Sequence, residues 1–540
     1  MKQPDLTRQC QPLATALQMR ELDRRSIEEI CIPGMVLMEN AGRATVDAME
    51  RHFGPVRGKS VCIFAGPGNN GGDGLVIARH VHGRGGHPLV LLLADPDKLP
   101  ADAALNWQIL QRLQLPCLVV NPDSHDVLPQ DWQQDVRVRP MHSLVDALFG
   151  IGLSRPLTDI YQEAVRTITS LAHQHACPVV AADIPSGLNT DTGQVLGEAV
   201  AADLTVSYGL IKPGHLHHGG TQVGRLEVVD IAIPRQVIAE AQLKGIMVDK
   251  SILSGLSNRS RDAHKGSNGH VLIIAGSLGK TGAALLAAQG ALRSGAGLLT
   301  CAVPANLLPI FASSLAEAMT APLPESQNVL TDVDHAALSE LCQHKQALVL
   351  GPGIGTAPET ARLVLRLYQE RPEPMVVDAD ALNILAAHRE VLARAGGPRV
   401  FTPHPGEMAR LLDQSVATIQ ADRMAAAEQL CSLCAASTQP AVVVLKGAGS
   451  VLVAHDGRWA INASGNAGMA TGGMGDVLAG IIAGVLAQGH DIWQAACGGV
   501  WLHGAAADLL ARESPYGYSA SEVAAALPRL FNQDTLHPTT

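Results

Sequence analysis

Aromatic residues are scarce: Phe, Trp and Tyr together make up 3% of the 540 residues. A chain so poor in flat rings has little to offer as a base-stacking surface. Positive charge is in deficit too. Forty Lys and Arg face 50 Asp and Glu, for a formal net charge of −10. That argues against the basic face that nucleic acid demands, although a phosphorylated ligand can still be held by a few backbone amides. Long apolar runs are missing. The longest, residues 477–487, falls far short of the ~20 residues needed to span a membrane. Its Gly480-x-x-x-Gly484 spacing reads instead as close helix packing in a globular core. The ten cysteines are scattered, and only Cys431 and Cys434 form a C-x-x-C pair. With no second pair to complete a zinc site, they read as ordinary helix residues. Such usage fits a reducing, cytoplasmic compartment. Residues 1–10 are polar and lack the apolar core of a signal peptide.

What is plentiful is small and aliphatic. Hydrophobic residues reach 47% against 17% charged, with 53 glycines, which suits close helix-on-sheet packing. Short Val/Ile/Leu runs at 60–66, 88–93, 179–183, 271–276, 347–351, 375–378 and 441–445 alternate with longer helical patterns. Strands apolar on both faces belong to a parallel sheet covered on each side, so an α/β fold is expected. Ligands of such sheets bind at the carboxyl ends of the strands. A variable stretch near 239–261, followed by a fresh strand at 269–276, divides the chain into two expected domains, 1–240 and 241–540. Each has its own glycine-rich turns, so two catalytic units are more economical than one.

In the first half, the run 60–65 leads into Gly66-Pro67-Gly68-Asn69-Asn70-Gly71-Gly72-Asp73-Gly74 and then a helix. The glycines are expected to let the backbone approach a phosphate at the helix start. Two more strand ends carry polar groups: Asp146-Ala147-Leu148-Phe149-Gly150 running on to Ile151-Gly152-Leu153-Ser154-Arg155-Pro156, and Asp183-Ile184-Pro185-Ser186-Gly187. Asn70, Asp146 and Ser186 offer hard oxygen ligands that suit an alkali or alkaline-earth cation. With Met38-Glu39-Asn40-Ala41-Gly42 upstream, this set resembles the NAD(P)H-hydrate epimerase family over about residues 15–235. The resemblance implies a Rossmann-like three-layer domain and a potassium ion held by Asn70, Asp146 and Ser186. It implies hydrate contacts from Asn69, Asn70, Gly71, Gly72 and Asp73, from Gly150 through Pro156, and from Tyr161 and Asp183. The hydrate is a hemiaminal at C6, so exchanging its R and S forms requires breaking and remaking a C–O bond with proton transfer. Asp183 is the candidate acid/base.

In the second half, Lys446-Gly447-Ala448-Gly449-Ser450 follows the run 441–445, and Gly472-Gly473-Met474-Gly475-Asp476 opens a helix. Glycines at a helix N-terminus make an anion hole, and a carboxylate beside it can take a proton from an attacking hydroxyl. The turn resembles the ribokinase-like superfamily. Lys280-Thr281-Gly282-Ala283-Ala284, Gly351-Pro352-Gly353-Ile354-Gly355, Asp378-Ala379-Asp380 and Thr402-Pro403-His404-Pro405-Gly406-Glu407 accompany it. Together they resemble the ADP/ATP-dependent NAD(P)H-hydrate dehydratase family over about residues 250–530. That resemblance implies a ribokinase-like α/β domain with nucleotide contacts at Lys446, Gly447, Ala448, Gly449, Ser450 and Gly475. It implies hydrate contacts at Ala283, Gly353, His404 and Asp476, with Asp476 catalytic. Asp378 and Asp380 either cap the next helix or face the ligand. ADP is the implied phosphoryl donor in bacterial members, and magnesium suits the transfer, although no motif dictates its ligands.

The leading expectation is therefore a bifunctional isomerase and lyase acting on NADHX and NADPHX. Two alternatives stay open: a small-molecule kinase with a ribokinase-like fold, and an N-terminal half that only binds or regulates. Both families imply assembly into homo-oligomers.

Overall fold

A computed structural model describes residues 9–120, 140–256, 259, 262–435 and 439–531. Most of the polar N-terminal stretch lies outside those residues. Two compact units emerge: one spans Pro12–Leu243, and the larger runs on from Lys244. No helix among the described residues is long and apolar enough to cross a membrane.

The first unit is a seven-stranded sheet with every pairing parallel. From edge to edge its strands are Cys117–Val119, His87–Leu92, Ser60–Ala65, Met141–Ala147, Val179–Ala182, Leu204–Tyr208 and Arg225–Val229. Numbered along the chain, the order is 3-2-1-4-5-6-7, which reverses direction between Ser60–Ala65 and Met141–Ala147. Loops leaving those two strands diverge to opposite faces and open a crevice there. Ser60–Ala65 is buried along its whole length, as its apolar sequence requires.

The second unit is built on a larger sheet. Its parallel centre comprises Met319–Leu323, Leu298–Pro304, His270–Ile274, Ala347–Leu350, Met375–Val377, Arg399–Phe401 and Ala441–Leu445. Ser450–Ala454 and Trp459–Asn462 then extend the sheet antiparallel, followed by Gly245–Val248. The runs read from the sequence as parallel strands all pair parallel, and these two further strands add a hairpin at the edge of that centre. Gly447 (φ +149°), Gly449 (φ +65°) and Gly457 (φ +81°) supply backbone angles that let short hairpin turns replace helical crossovers.

Two helices form the heart of this unit. The apolar run is the buried helix Met474–Ala487, packed on Thr281–Arg293. A Cβ on Gly480 would sit 1.9 Å from the Ala287 carbonyl oxygen, and one on Gly290 2.3 Å from that of Val477. The glycines therefore permit backbone-to-backbone contact. Cys431 and Cys434 lie buried in the helix Arg423–Ala435 as free thiols, and burial pushes Cys431 up to about 12.

Candidate active sites

At the crevice of the first sheet lies a cavity of about 530 Å³. Its walls come from the loop and helix after Ser60–Ala65, from the loop after Met141–Ala147, and from the helix Ala16–Arg24. Asp183 follows the strand Val179–Ala182 and has φ +66°, a left-handed conformation that Asp tolerates better than most residues. Its carboxylate is held by the buried Lys212 ammonium and by the amide of Tyr208 at 3.1 Å. Lys212 also donates to Ser207 Oγ at 3.1 Å and to the Tyr208 carbonyl at 2.9 Å. Behind it, His215 Nε2 meets the Asp183 carbonyl at 2.9 Å, and burial beside Lys212 pushes this imidazole down to about 3. Two further carboxyls line the cavity. Burial, reinforced by Asp183, pushes Asp23 up to about 6 and lifts Asp73 well above the carboxylate range.

Asn69, Asn70, Asp73, Gly150, Ile151, Gly152, Leu153 and Asp183 line this cavity. Gly71 and Gly72 are not among its lining residues. A Cβ on Gly71 would come 2.0 Å from the Gly66 carbonyl oxygen, and one on Gly72 2.6 Å from Met38 Cε. These glycines let the helix Asn69–Gly83 pack against its own strand and its neighbour. Gly68, in contrast, has open space where a Cβ would go. Ser154, Arg155 and Pro156 stand exposed outside the cavity lining. Tyr161 lies edge-on behind Phe149, with ring centroids 4.7 Å apart, and donates to the Leu93 carbonyl at 3.3 Å.

Two of the three cation-ligand candidates touch, and the third lies beside the loop that follows Asp146. Ser186 donates to buried Asp146 from Oγ at 2.6 Å and from its amide at 2.7 Å, and its Oγ also lies 3.3 Å from the Phe149 carbonyl. On the next residue, a Cβ at Gly150 would lie 3.3 Å from Asn70 Oδ1. The Asn70 amide is buried with neither polar atom partnered. An orphaned amide in the same loop cluster as a buried carboxylate and a serine hydroxyl fits a weakly held monovalent cation. Among the described residues no three His, Cys, Asp or Glu side chains gather to hold a metal.

In the second unit, Gly473 (φ +88°) turns the chain into the helix Met474–Ala487, so the amides of Met474, Gly475 and Asp476 open the first turn without intrahelical partners. A Cβ on Gly475 would lie 3.1 Å from Lys446 Nζ. That ammonium bonds Asp378 Oδ1 at 2.7 Å and approaches Glu407 Oε2 at 3.9 Å. Burial works against its charge, but the two carboxylates outweigh it and raise Lys446. Burial, then Asp378, pushes Asp476 up to about 7; burial pushes Glu407 to about 7 as well. His404 caps the helix Pro405–Leu412: its Nδ1 accepts from Gly406 N at 3.0 Å, leaving Nε2 3.4 Å from Glu407 Oε1.

Of the two uncertain carboxylates, Asp378 is buried on Lys446. Asp380 accepts from Gly355 N at 2.9 Å and pairs with Lys280 at 3.1 Å. Ala379 between them has φ +54° and ψ −119°, a conformation suited to glycine. Gly353 (φ +61°) packs on Lys280 and Ala283. The loop Gly447-Ala448-Gly449 is strapped from behind by buried Arg423, which donates to the carbonyls of Leu445, Ala448 and Gly449 at 3.1, 2.6 and 3.0 Å.

Comparison with known proteins places both halves. A family model described as NAD(P)H-hydrate dehydratase matches residues 271–529, and one for the YjeF-related protein N-terminus matches 34–214. A curated relative from Moorella thermoacetica, a bifunctional NAD(P)H-hydrate repair enzyme Nnr, is 43% identical over 93% of each chain. The chain belongs to the bifunctional NAD(P)H-hydrate repair enzyme family. A family member from Salinibacter ruber is 37% identical over 98% of both chains. Among solved structures, an ADP/ATP-dependent NAD(P)H-hydrate dehydratase from Bacillus subtilis, co-crystallised with ATP and magnesium, is 30% identical. It covers 53% of this chain and 98% of its own, with a TM-score of 0.44.

Sequence reasoning missed Lys212, Asp23 and Arg423, and gave Glu407 no role. Lys212 sits in Gly209-Leu210-Ile211-Lys212-Pro213-Gly214. A lone lysine between apolar residues and a Pro-Gly turn is the sequence signal of its burial.

Proposed function

We propose that the two units repair hydrated nicotinamide cofactors in sequence, the first interconverting R and S hydrates and the second dehydrating the S form. The observation that carries this reading is the pair of separate sites. In one, Asp183 is locked on buried Lys212 in a cavity at the sheet's reversal; in the other, Asp476 stands at a helix N-terminus beside Lys446.

In the first site Asp183 serves as acid/base at the C6 hydroxyl. The Lys212 ammonium fixes its orientation. Asn70, Asp146 and Ser186 would hold a potassium ion, whose charge when bound orders the polar groups around the cavity. Asn69, Asp73 and Gly150–Leu153 contact the hydrate.

In the second site Asp476 takes the proton from the C6 hydroxyl, whose oxygen attacks the terminal phosphorus of ADP, releasing AMP. The developing charge meets the amides of the first helical turn and the Lys446 ammonium. Hydroxide leaves poorly and phosphate leaves well. The ring nitrogen's lone pair then expels phosphate, and loss of a C5 proton restores the dihydronicotinamide. Lys446 through Ser450 and Gly475 contact the nucleotide, and Ala283, Gly353 and His404 contact the hydrate. Magnesium, when bound, would neutralise phosphate charge during the transfer.

The test incubates the chain with each purified epimer and ADP and follows dihydronicotinamide absorbance. Wild-type protein is expected to consume both. Asp476→Asn should abolish both, while Asp183→Asn should spare S and slow R to its spontaneous rate. Loss of S repair in folded Asp183→Asn would count against the division of labour.

A further inference from the structure

The first cavity holds more ionisable groups than a single acid/base needs. On the epimerase reading, a C–O bond must break on one face of C6 and form on the other. That asks for two proton-handling groups, one protonated and one ionised. Asp183 supplies one. Lys212 cannot be the other, because its three N–H bonds are committed to Asp183, Ser207 and the Tyr208 carbonyl. Tyr208 pairs its hydroxyl with Thr45 Oγ1 at 2.9 Å, and burial lifts it well above the usual phenol range. His215 is kept neutral behind Asp183. Arg20 lines the cavity but has no proton to give.

Asp23 is different. It stands on the helix Ala16–Arg24, four residues beyond Met19, and both side chains line the cavity. Its Oδ1 is buried with no hydrogen-bond partner, a costly arrangement that a ligand's hydroxyl would relieve. We propose that Asp23 is a second catalytic residue of the epimerase site, exchanging its proton with the hydrate's C6 oxygen while Asp183 serves the incoming water.

The step balances without any redox partner. Protonated Asp23 gives its proton to the C6 hydroxyl, the C6–O bond breaks to release water, and the ring nitrogen's lone pair forms N1=C6. A water adds to the other face of C6, its extra proton goes to ionised Asp183, and the electron pair returns to nitrogen. One water leaves and one enters. The proton then on Asp183 returns to Asp23 through solvent, and the reverse reaction swaps the roles. Asp73 is the rival acid. Burial lifts it well above the usual range, whereas Asp23, at about 6 and with an unpartnered buried oxygen at the cavity, can release a proton near neutrality.

The experiment uses the full chain with NADH hydrate and no nucleotide, with R and S forms separated by chromatography across pH 5–8. Asp23→Asn should lower kcat for epimerisation by about 100-fold or more, with KM little changed. It should also remove the fall in wild-type rate that accompanies loss of the shared proton above about pH 6. Asp23→Glu should recover part of the rate, and dehydration of the S form with ADP should match wild type in both variants. Wild-type kcat in Asp23→Asn, a change in KM alone, or an unaltered pH profile would overturn the assignment. So would removal of the limb by Asp73→Asn and not by Asp23→Asn. Wild-type protein that leaves both epimers unchanged would sink the epimerase reading and this assignment together, whereas an active wild type with an indifferent Asp23→Asn sinks the assignment alone.

Discussion

Asp476 combines a chemical task with an energetic cost. Burial and Asp378 push its carboxyl up to about 7, so the base form that starts phosphoryl transfer is gained as pH rises. The dehydratase kcat/KM should climb through about pH 7, read from initial rates with ADP. The same shift sets a stability trend of opposite sign. A carboxyl whose folded value is raised binds its proton more tightly folded than unfolded. Its contribution is therefore full below the ordinary value of 3.8 and is lost as pH rises towards about 7. Asp476→Asn, which cannot ionise, should show little change in Tm at pH 4 and a higher Tm than wild type at pH 8, while losing all hydrate repair. A neighbouring position carries strain of another kind. Ala379, at φ +54° and ψ −119°, holds Asp378 and Asp380 on either side of it in place. Ala379→Gly should stabilise the protein by about 1 kcal/mol in chemical denaturation, since a Cβ in that region costs on the order of 1–3 kcal/mol. Asp476 was legible because a glycine-rich turn before a helix advertises an anion. Asp183 was legible at the end of an apolar strand. Lys212 and Asp23 were not, because neither belongs to a strand-end glycine turn that opens a helix. Their meaning comes from a cavity formed by segments about 190 residues apart in sequence.

At the scale of elements, the strands apolar on both faces were the easiest to read, since a residue string without alternation has little choice but a sheet covered on both sides. The hairpin strands Ser450–Ala454 and Trp459–Asn462 escaped notice. Their glycines look the same in sequence whether they bind phosphate or turn a hairpin, and the loop of Gly447 and Gly449 joins two antiparallel strands as well as being the expected nucleotide loop. Gly71 and Gly72 pose the same ambiguity, since a Cβ on either would collide with its neighbours. In the helix Met474–Ala487, however, the Gly-x-x-x-Gly spacing predicted close contact, and the contact with Thr281–Arg293 leaves no room for a methyl group. Gly480→Ala should therefore destabilise the second unit by about 1–3 kcal/mol through overpacking, despite its better helix propensity. Denaturation followed through buried Trp493 and Trp501, on the adjoining helix Ile492–Ala511, measures it. A Tm equal to or above wild type would show that the two helices can separate without loss.

At the scale of the whole molecule, each unit has its own sheet and its own site, and the family joins them in one chain. Nothing in the chemistry requires the hydrate to stay attached between steps. Epimerisation returns a complete molecule with no covalent link to the protein, and phosphorylation begins on that free hydroxyl. The economy of the fusion then lies in supplying both activities at a one-to-one ratio. If the hydrate passes through solvent, two crippled chains should complement each other. An equimolar mixture of Asp183→Asn and Asp476→Asn, each unable to repair the R epimer enzymatically, should restore R repair at a rate set by the working sites present. Doubling total protein at fixed ratio should raise that rate as it does for wild type. A mixture that stays at the spontaneous rate, with both variants folded and Asp183→Asn still active on S, would mean that the S hydrate must be handed over within one chain.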